Sequence, residues 1–283
     1  MNVPALAPIS VIIPARNAEK YIHEAIASTL AQTLPITEII VVADDCADDT
    51  SGIAKRLGAK VIEAQHRNIS AAINQGVRAA TQTWIALLDA DDLWDQRKIE
   101  LQWQALQTFP GAAIISCDMR TLLDGKISSR SPEQLLERRR QVSSVAVFHE
   151  QAAYFPQVNG TVLTWFQVSP QTALIRRDVF DHAGFFDEQL LHNANVEFFA
   201  RALKSFSLVV IEEPLVCYRI HRDNHSTNTE GTWAAYISIV NRMLRHPEQY
   251  PAGAGEAYRA MVKQEFMNYE RLLARTKRAE PAD

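Results

Sequence analysis

The first 118 residues alternate short apolar runs with amphipathic segments, and this order constrains the fold more than any other feature of the chain. "SVIIP" (Ser10–Pro14), "ITEIIVVA" (Ile36–Ala43), "AKVIEA" (Ala59–Ala64), "TWIALL" (Thr83–Leu88) and "AAIISC" (Ala112–Cys117) have the length and composition of buried strands. Between them, "AEKYIHEAIASTLAQT" carries Tyr21, Ile22, Ala25, Ile26 and Leu30 near helical spacing. "DDTSGIAKRLG" is a second helix closed by Gly58, and "ISAAINQGVRAAT" a third whose small residues permit close packing on a sheet. "DQRKIELQWQALQTF" is a fourth. A β-α-β-α order predicts an α/β fold, a mostly parallel sheet with helices on both faces. Ligands of such sheets bind beyond the carboxyl ends of the strands.

The second half is less regular. "RSPEQLLERRRQ" predicts a helix with a basic end, where Arg138, Arg139 and Arg140 read first as a solvated helix end and second as a phosphate or acceptor contact. "GTVLTWFQV" has the pattern of a strand and "RRDVFDHAGFF" that of a short helix and turn. "NVEFFARALKSF" predicts a helix, and "SLVVI" and "LVCYRIH" two strands. From Thr232 onward two helices flank "HPEQYPAGAGE", and the tail "TKRAEPAD" is expected to fray. A functional boundary is expected near residue 118, inside one compact domain.

The strand "TWIALL" runs into "LLDADDLWD", which places Asp89, Asp91, Asp92 and Asp95 at a strand's carboxyl end. Crowded carboxylates raise each other's pKa values, and a divalent cation would offset that cost. Hard cations such as Mg²⁺ or Mn²⁺ prefer carboxylate oxygens. The competing reading is an Asp-rich turn in which Asp92 or Asp95 caps the next helix. Two further polar clusters, "PARN" (Pro14–Asn17) and "ADDCADDT" (Ala43–Thr50), follow the first and second strands, on the same edge of a parallel sheet.

These motifs, in this order, resemble the family 2 glycosyltransferases of the GT-A fold over roughly Ile9 to Ser226. "VIIPARN" stands where the family has a strand and P-x-Y-N, with Arg16 in place of tyrosine. "ADDCADD" stands for D-D-G-S-x-D, with Ala43 for the first aspartate and Asp45 for the glycine. "SAAINQG" stands for S-A-A-R-N-x-G, keeping Asn74 and Gly76 but carrying Ile73 for the arginine. D-A-D-D is intact, "GFFDE" (Gly184–Glu188) matches G-x-F-D-E, and "YRIH" (Tyr218–His221) matches a late motif whose histidine joins the metal site in relatives.

The resemblance implies a Rossmann-like GT-A domain with a C-terminal helical extension. Residues 1–118 would bind the nucleotide sugar, 119–230 form the acceptor-side half, and 231–283 add helices. It implies an inverting transfer of sugar from a nucleotide-sugar donor, UDP-linked by the match at Asp44, to a hydroxyl of a glycan, lipid-linked sugar or peptide. Pro14, Arg16, Asn17, Asp44, Asn74 and Asp89 would hold the donor. Asp89, Asp91 and His221 would hold Mn²⁺ or Mg²⁺. Inverting members carry an E-D pair after G-x-F-D-E whose second carboxylate is the general base. Counting from Asp187 and back from Arg201 puts Ala194 and Asn195 there. An amide holds a hydroxyl but takes no proton near neutral pH. Asp187, Glu188 and Glu197 are the neighbouring carboxylates, although Glu197 lies about 200° around a helix from residue 195. A degenerate relative that binds nucleotide sugar or a partner without efficient transfer is the alternative.

Other classes fit less well. A net charge of −4 gives no basic field for nucleic acid. No GxGxxG follows a strand, which disfavours a nicotinamide dehydrogenase, and no GxxxxGK[ST] is present for a P-loop. Cys46, Cys117 and Cys217 are too far apart for a zinc knuckle or disulfide framework. With no signal peptide and no apolar run of membrane-span length, the expected location is the cytoplasm, free or peripheral to a membrane. Acceptor specificity is expected in Ser128–Pro170, the least recognisable stretch.

Overall fold

The computed structural model describes residues 6–123, 126–130, 132–165, 168–221 and 229–279. Its frame is an eleven-stranded sheet. Strands β1 (Ala7–Ala15), β2 (Ile36–Asp44), β3 (Lys60–Ala64) and β4 (Trp84–Leu87) pair in parallel in the order β3-β2-β1-β4. Chain order reverses on either side of β1. Connections therefore leave in opposite directions there, and a crevice opens at the carboxyl ends of the strands.

Val11, Ile12 and Ile13 of β1 are all fully buried. They alternate between two cores, as expected of a strand covered on both faces. Ile12 joins Ile40, Val42 and Ile85 beneath α3 (Ile69–Ala79). Val11 and Ile13 join Val41 beneath α1 (Ile22–Leu30), α2 (Thr50–Arg56) and α4 (Lys98–Thr108). Each such side chain contributes about 1.5–3 kcal/mol. Gly76 allows α3 to lie hard against the sheet, because a Cβ there would overlap the Ile12 side chain. That approach brings the N-terminus of α3 to the rim of the crevice.

Beyond β4 the sheet is mixed. Its order continues with β10 (Leu174–Arg176), β6 (Ile114–Leu123), β11 (Leu208–Ile220), β9 (Ala152–Phe155) and β8 (Val147–His149). β10 runs antiparallel to both neighbours, and so does β9. Two short strands lie off this path: β5 (Leu93–Trp94) pairs with β11, and β7 (Lys126–Ser128) with β6. The expected strands "SLVVI" and "LVCYRIH" are one strand, β11. Pro214 is tolerated where the β11–β6 register shifts, since a bulge position requires no ladder N–H from it.

The face that holds α3 also receives α5 (Pro132–Val142), α6 (Gly160–Trp165), α7 (Asp178–Ala183), α8 (Ala194–Ala202), α9 (Thr229–Arg245) and α10 (Ala254–Ala279). "GTVLTWFQV" is not the expected strand. Asn159 Oδ1 accepts the Val162 N–H at 3.0 Å, an N-cap that starts α6 and overrides the β-branched and aromatic pattern. Of the tail expected to fray, residues 276–279 form the end of α10, and residues 280–283 lie outside the described residues.

Arg138 and Arg139 are not a solvated helix end. Arg138 is buried against Asp118 at 3.3 Å, and Arg139 pairs with buried Glu212 at 2.5 Å. Both tie α5 to β6 and β11, and only Arg140 keeps the expected exposure. No helix among the described residues is long and apolar enough to cross a membrane.

Candidate active site

A cavity of about 860 Å³ occupies the crevice. Its walls come from the loop Pro14–Tyr21 after β1, Asp44 and Asp48 after β2, Arg67–Ser70 at the start of α3, and Asp89–Asp91 after β4. Leu190–Asn195, Ser169, Pro170, Tyr218 and His221 also line it.

The acidic turn is closed by the Asp92 N–H donating to Asp89 O at 3.1 Å. The end of β11 grips it. Arg219 donates its N–H to Asp92 Oδ1 at 2.9 Å and its Nε–H to Asp91 O at 3.0 Å. His221 Nε2 lies 2.9 Å from Asp91 Oδ2, and its ring stacks on Tyr21 with centroids 4.9 Å apart. Burial, and then the Asp91 charge, pushes the Asp89 carboxyl up to about 7. Burial and the Asp89 charge push Asp92 up to about 9, against a partial offset from the Arg219 N–H. Asp92 Oδ2 is buried without a hydrogen-bond partner. Asp89 and Asp91, by contrast, line the cavity.

These residues fit a hard divalent cation. Asp91 lies against His221 at 2.9 Å, Asp89 lines the same cavity, and Asp89 is in an environment that a positive charge would relieve. Among the described residues no three such groups form a ready-made cage. That suits a metal held by one or two carboxylates and completed by substrate phosphates. Binding would displace the Asp89 proton. Mn²⁺ affinity should therefore rise by up to about tenfold per pH unit below about 7 and level off above it, measured by calorimetry between pH 5.5 and 8.5.

Asp44, which lines the same cavity, is 4% exposed. Its Oδ1 accepts the His66 N–H at 2.6 Å and its Oδ2 the Asn68 N–H at 3.0 Å. A carboxylate has about four lone-pair sites, so acceptor capacity remains toward the cavity. Pro14, Arg16 and Asn17 also line the cavity. Asn17 uses its side chain on its neighbours, Oδ1 accepting the Ala47 N–H at 2.8 Å. Asn74, expected among the donor contacts, is instead a fastener. Its amide is spent on the backbone of Phe186, at 2.9 and 3.0 Å, and on Glu188 Oε1 at 2.8 Å. It ties α3 to the loop before α8.

Asn195 lines the cavity from the first turn of α8. The three neighbouring carboxylates do not line it. Glu197 is buried and accepts from Arg201 at 2.9 and 3.0 Å and from the Tyr250 hydroxyl at 3.0 Å. Asp187 pairs with Arg242 at 2.7 Å. Burial would raise the Asp187 carboxyl, but Arg242 and the Gln189 N–H outweigh it and hold the group below its ordinary value. Glu188 is exposed and bound to Asn74. The expectation that one of these serves as base is corrected on geometry. Glu197→Ala should instead act on stability. A fully buried pair broken on one side costs about 3–5 kcal/mol, and the partly exposed Arg201 reduces this to about 2–3 kcal/mol, read from urea unfolding.

Of the stretch Ser128–Pro170, Ser169 and Pro170 line the cavity among the described residues. Among the lining residues that went unrecognised in the sequence are Tyr21, Arg67, Gln171 and His192. Tyr21 reads as the apolar face of α1, and the others sit in loops whose course periodicity does not reveal.

A family model described as glycosyl transferase family 2 matches residues 10–184. An uncharacterized glycosyltransferase of Rickettsia typhi is 29% identical over 247 residues, 83% of this chain and 73% of that protein. Among solved structures, Staphylococcus aureus TarS 1-349 in complex with UDP-GlcNAc aligns with a TM-score of 0.66 at 19% identity, over 92% of this chain and 71% of that one. The chain spans 43% of the longer TarS structure. The mannosyltransferase PcManGT of Pyrobaculum calidifontis, in complex with GDP-Man and Mn²⁺, aligns with a TM-score of 0.68 at 14% identity, over 97% of this chain and 76% of that one. At these identities the two structures share the fold.

Proposed function

From the premise that the chain belongs to glycosyl transferase family 2, we propose that it transfers a sugar from a UDP-sugar to an acceptor hydroxyl, with inversion and with the aid of Mn²⁺ or Mg²⁺. One observation carries this reading: Asp44, after β2, and the pair Asp89–Asp91, after β4, line one cavity at the carboxyl edge of the sheet, with β1 between their strands. Asp44 accepts the N3–H of uracil, and Asp89 and Asp91 hold the metal with His221 beside them. When bound, the metal neutralises the diphosphate and stabilises it as the leaving group. The proteins of the same fold whose structures hold UDP-GlcNAc, and GDP-Man with Mn²⁺, support a nucleotide-sugar donor. Residues 1–118 then form the donor half and 119–230 the acceptor half of one domain, with the helices beyond as an extension. A place in the cytoplasm, free or at a membrane surface, belongs to the same proposal.

In an inverting transfer the acceptor oxygen forms its bond to the anomeric carbon as the bond to the diphosphate breaks. The acceptor proton must leave. Asn195 holds the hydroxyl, and His192, which lines the cavity from the same segment, takes the proton. The amide at 195, with Asp187 and Glu197 both engaged by arginines, favours a second reading: a protein that binds the donor and transfers slowly or not at all.

A thermal-stabilisation screen of nucleotide sugars with and without Mn²⁺ identifies the donor, and NMR of the product reports the anomeric configuration. Donor consumed only when acceptor is present supports the enzyme; intact donor across a broad acceptor set supports the binding protein. Asp44→Asn should weaken UDP binding by roughly 1.5–3 kcal/mol, one charge-assisted hydrogen bond, or roughly 10- to 150-fold in Kd by calorimetry. Unchanged affinity would remove Asp44 from the base site.

A further inference from the structure

We propose that Arg16 and Arg67, joined through Asp45, form a clasp that reads the base edge on both sides of Asp44 and restricts the site to uracil or thymine. This rests on the reading that Asp44 receives the base N3–H. Arg67 Nε lies 2.7 Å and Arg16 Nη2 3.3 Å from the same oxygen, Asp45 Oδ2, and Arg67 Nη2 lies 3.4 Å from Oδ1. Arg16 follows β1, Asp44 ends β2 and Arg67 follows β3, and these strands lie side by side in the order β3-β2-β1. The strands that lead to Arg16 and Arg67 thus lie on either side of the one that ends at Asp44, and both guanidiniums meet at Asp45, the next residue. Both arginines line the cavity.

The backbone supports a selected role. Arg67 has φ 53°, a conformation disfavoured for a long side chain, and Asp45 has φ 56°, which aspartate tolerates better. The two arginine side chains are 51% and 69% exposed, so their ion pairs contribute little to stability. Asp45 positions both guanidiniums, and each has five N–H groups, more than the ion pairs use.

The resulting order of groups is donor, acceptor, donor. Uracil and thymine present its complement: O2 accepts, N3–H donates, O4 accepts. Guanine sets two donors beside one acceptor, which opposes its amino group to a guanidinium. Cytosine and adenine place a ring-nitrogen acceptor against the Asp44 carboxylate.

The test is calorimetry of UDP, dTDP, GDP and CDP, with Mn²⁺, against the parent, Asp45→Gly, Arg16→Ala and Arg67→Ala. Glycine relieves the positive φ at 45, so that variant should melt at or above the parent temperature. The parent should prefer UDP to CDP and GDP by at least ~10-fold, and each variant should lose most of that ratio, about one hydrogen bond's worth. Equal UDP and dTDP affinity confirms reading of the edge alone; preference for UDP adds a ribose contact to the clasp. If Asp44→Asn destroys the preference while all three clasp variants keep it within ~2-fold, the clasp is wrong and the donor reading stands. A parent that binds no nucleoside diphosphate, or prefers GDP or CDP, overturns both.

Discussion

Asp91→Asn should lower sugar transfer by at least ~10³-fold, the scale of losing an electrostatic contact made at the leaving group. The carboxylate of Asp91 faces the cavity and is held 2.9 Å from His221 Nε2, while Arg219 fixes its backbone. The amide occupies the same volume and keeps a hydrogen bond to the imidazole, so folding should be preserved. What it removes is negative charge at the point where a cation is expected. UDP-sugar binding in Mn²⁺ should fall to its level in EDTA, and calorimetry of parent and variant in both buffers checks this. Equal affinity of the two proteins in Mn²⁺ would mean that the acidic turn holds no metal.

Asn195→Asp should act in the opposite direction. General base catalysis contributes about 10²–10⁴-fold, and the variant should raise transfer toward that range if proton removal limits the parent. Donor affinity should change little, because the new carboxylate meets the acceptor rather than the nucleotide. The side chain at 195 already lines the cavity. The measurement is initial rate against acceptor concentration, with His192→Ala made in both backgrounds. If His192 is the base of the parent, His192→Ala should abolish transfer in the parent and be rescued by Asn195→Asp. No gain from Asn195→Asp and no loss from His192→Ala would place proton removal elsewhere.

The sheet's parallel edge was legible because its strands are buried on both faces and its helices carry a 3.6-residue period. The acidic turn was legible because Asp89 and Asp91 follow a strand that such a fold must end at the ligand edge. The mixed half was not. β10 has three residues, too few to show a period, yet it fills the sheet between β4 and β6. α6 carries β-forming residues and is helical because Asn159 caps it and α10 covers it. The roles of Glu197 and Asn74 needed coordinates for a different reason. A carboxylate or amide near a reactive motif looks the same in sequence whether it faces substrate or an arginine. The partners that decide the matter, Arg201, Tyr250 and Phe186, are brought in by tertiary packing. Arg138 and Arg139 make the same point: a run of three arginines looks solvated until Asp118 and Glu212 are placed opposite two of them.

The central claim is a uridine-diphosphate site whose affinity depends on a divalent cation held by Asp89 and Asp91. Titration of UDP into the protein, once with Mn²⁺ at pH 8 and once with EDTA, tests it most directly. The account predicts saturable one-to-one binding in Mn²⁺ and a loss of at least ~100-fold in EDTA, since both carboxylates would then face the diphosphate without a cation between them. Binding of equal strength in both buffers, or no binding of UDP in either, would contradict it.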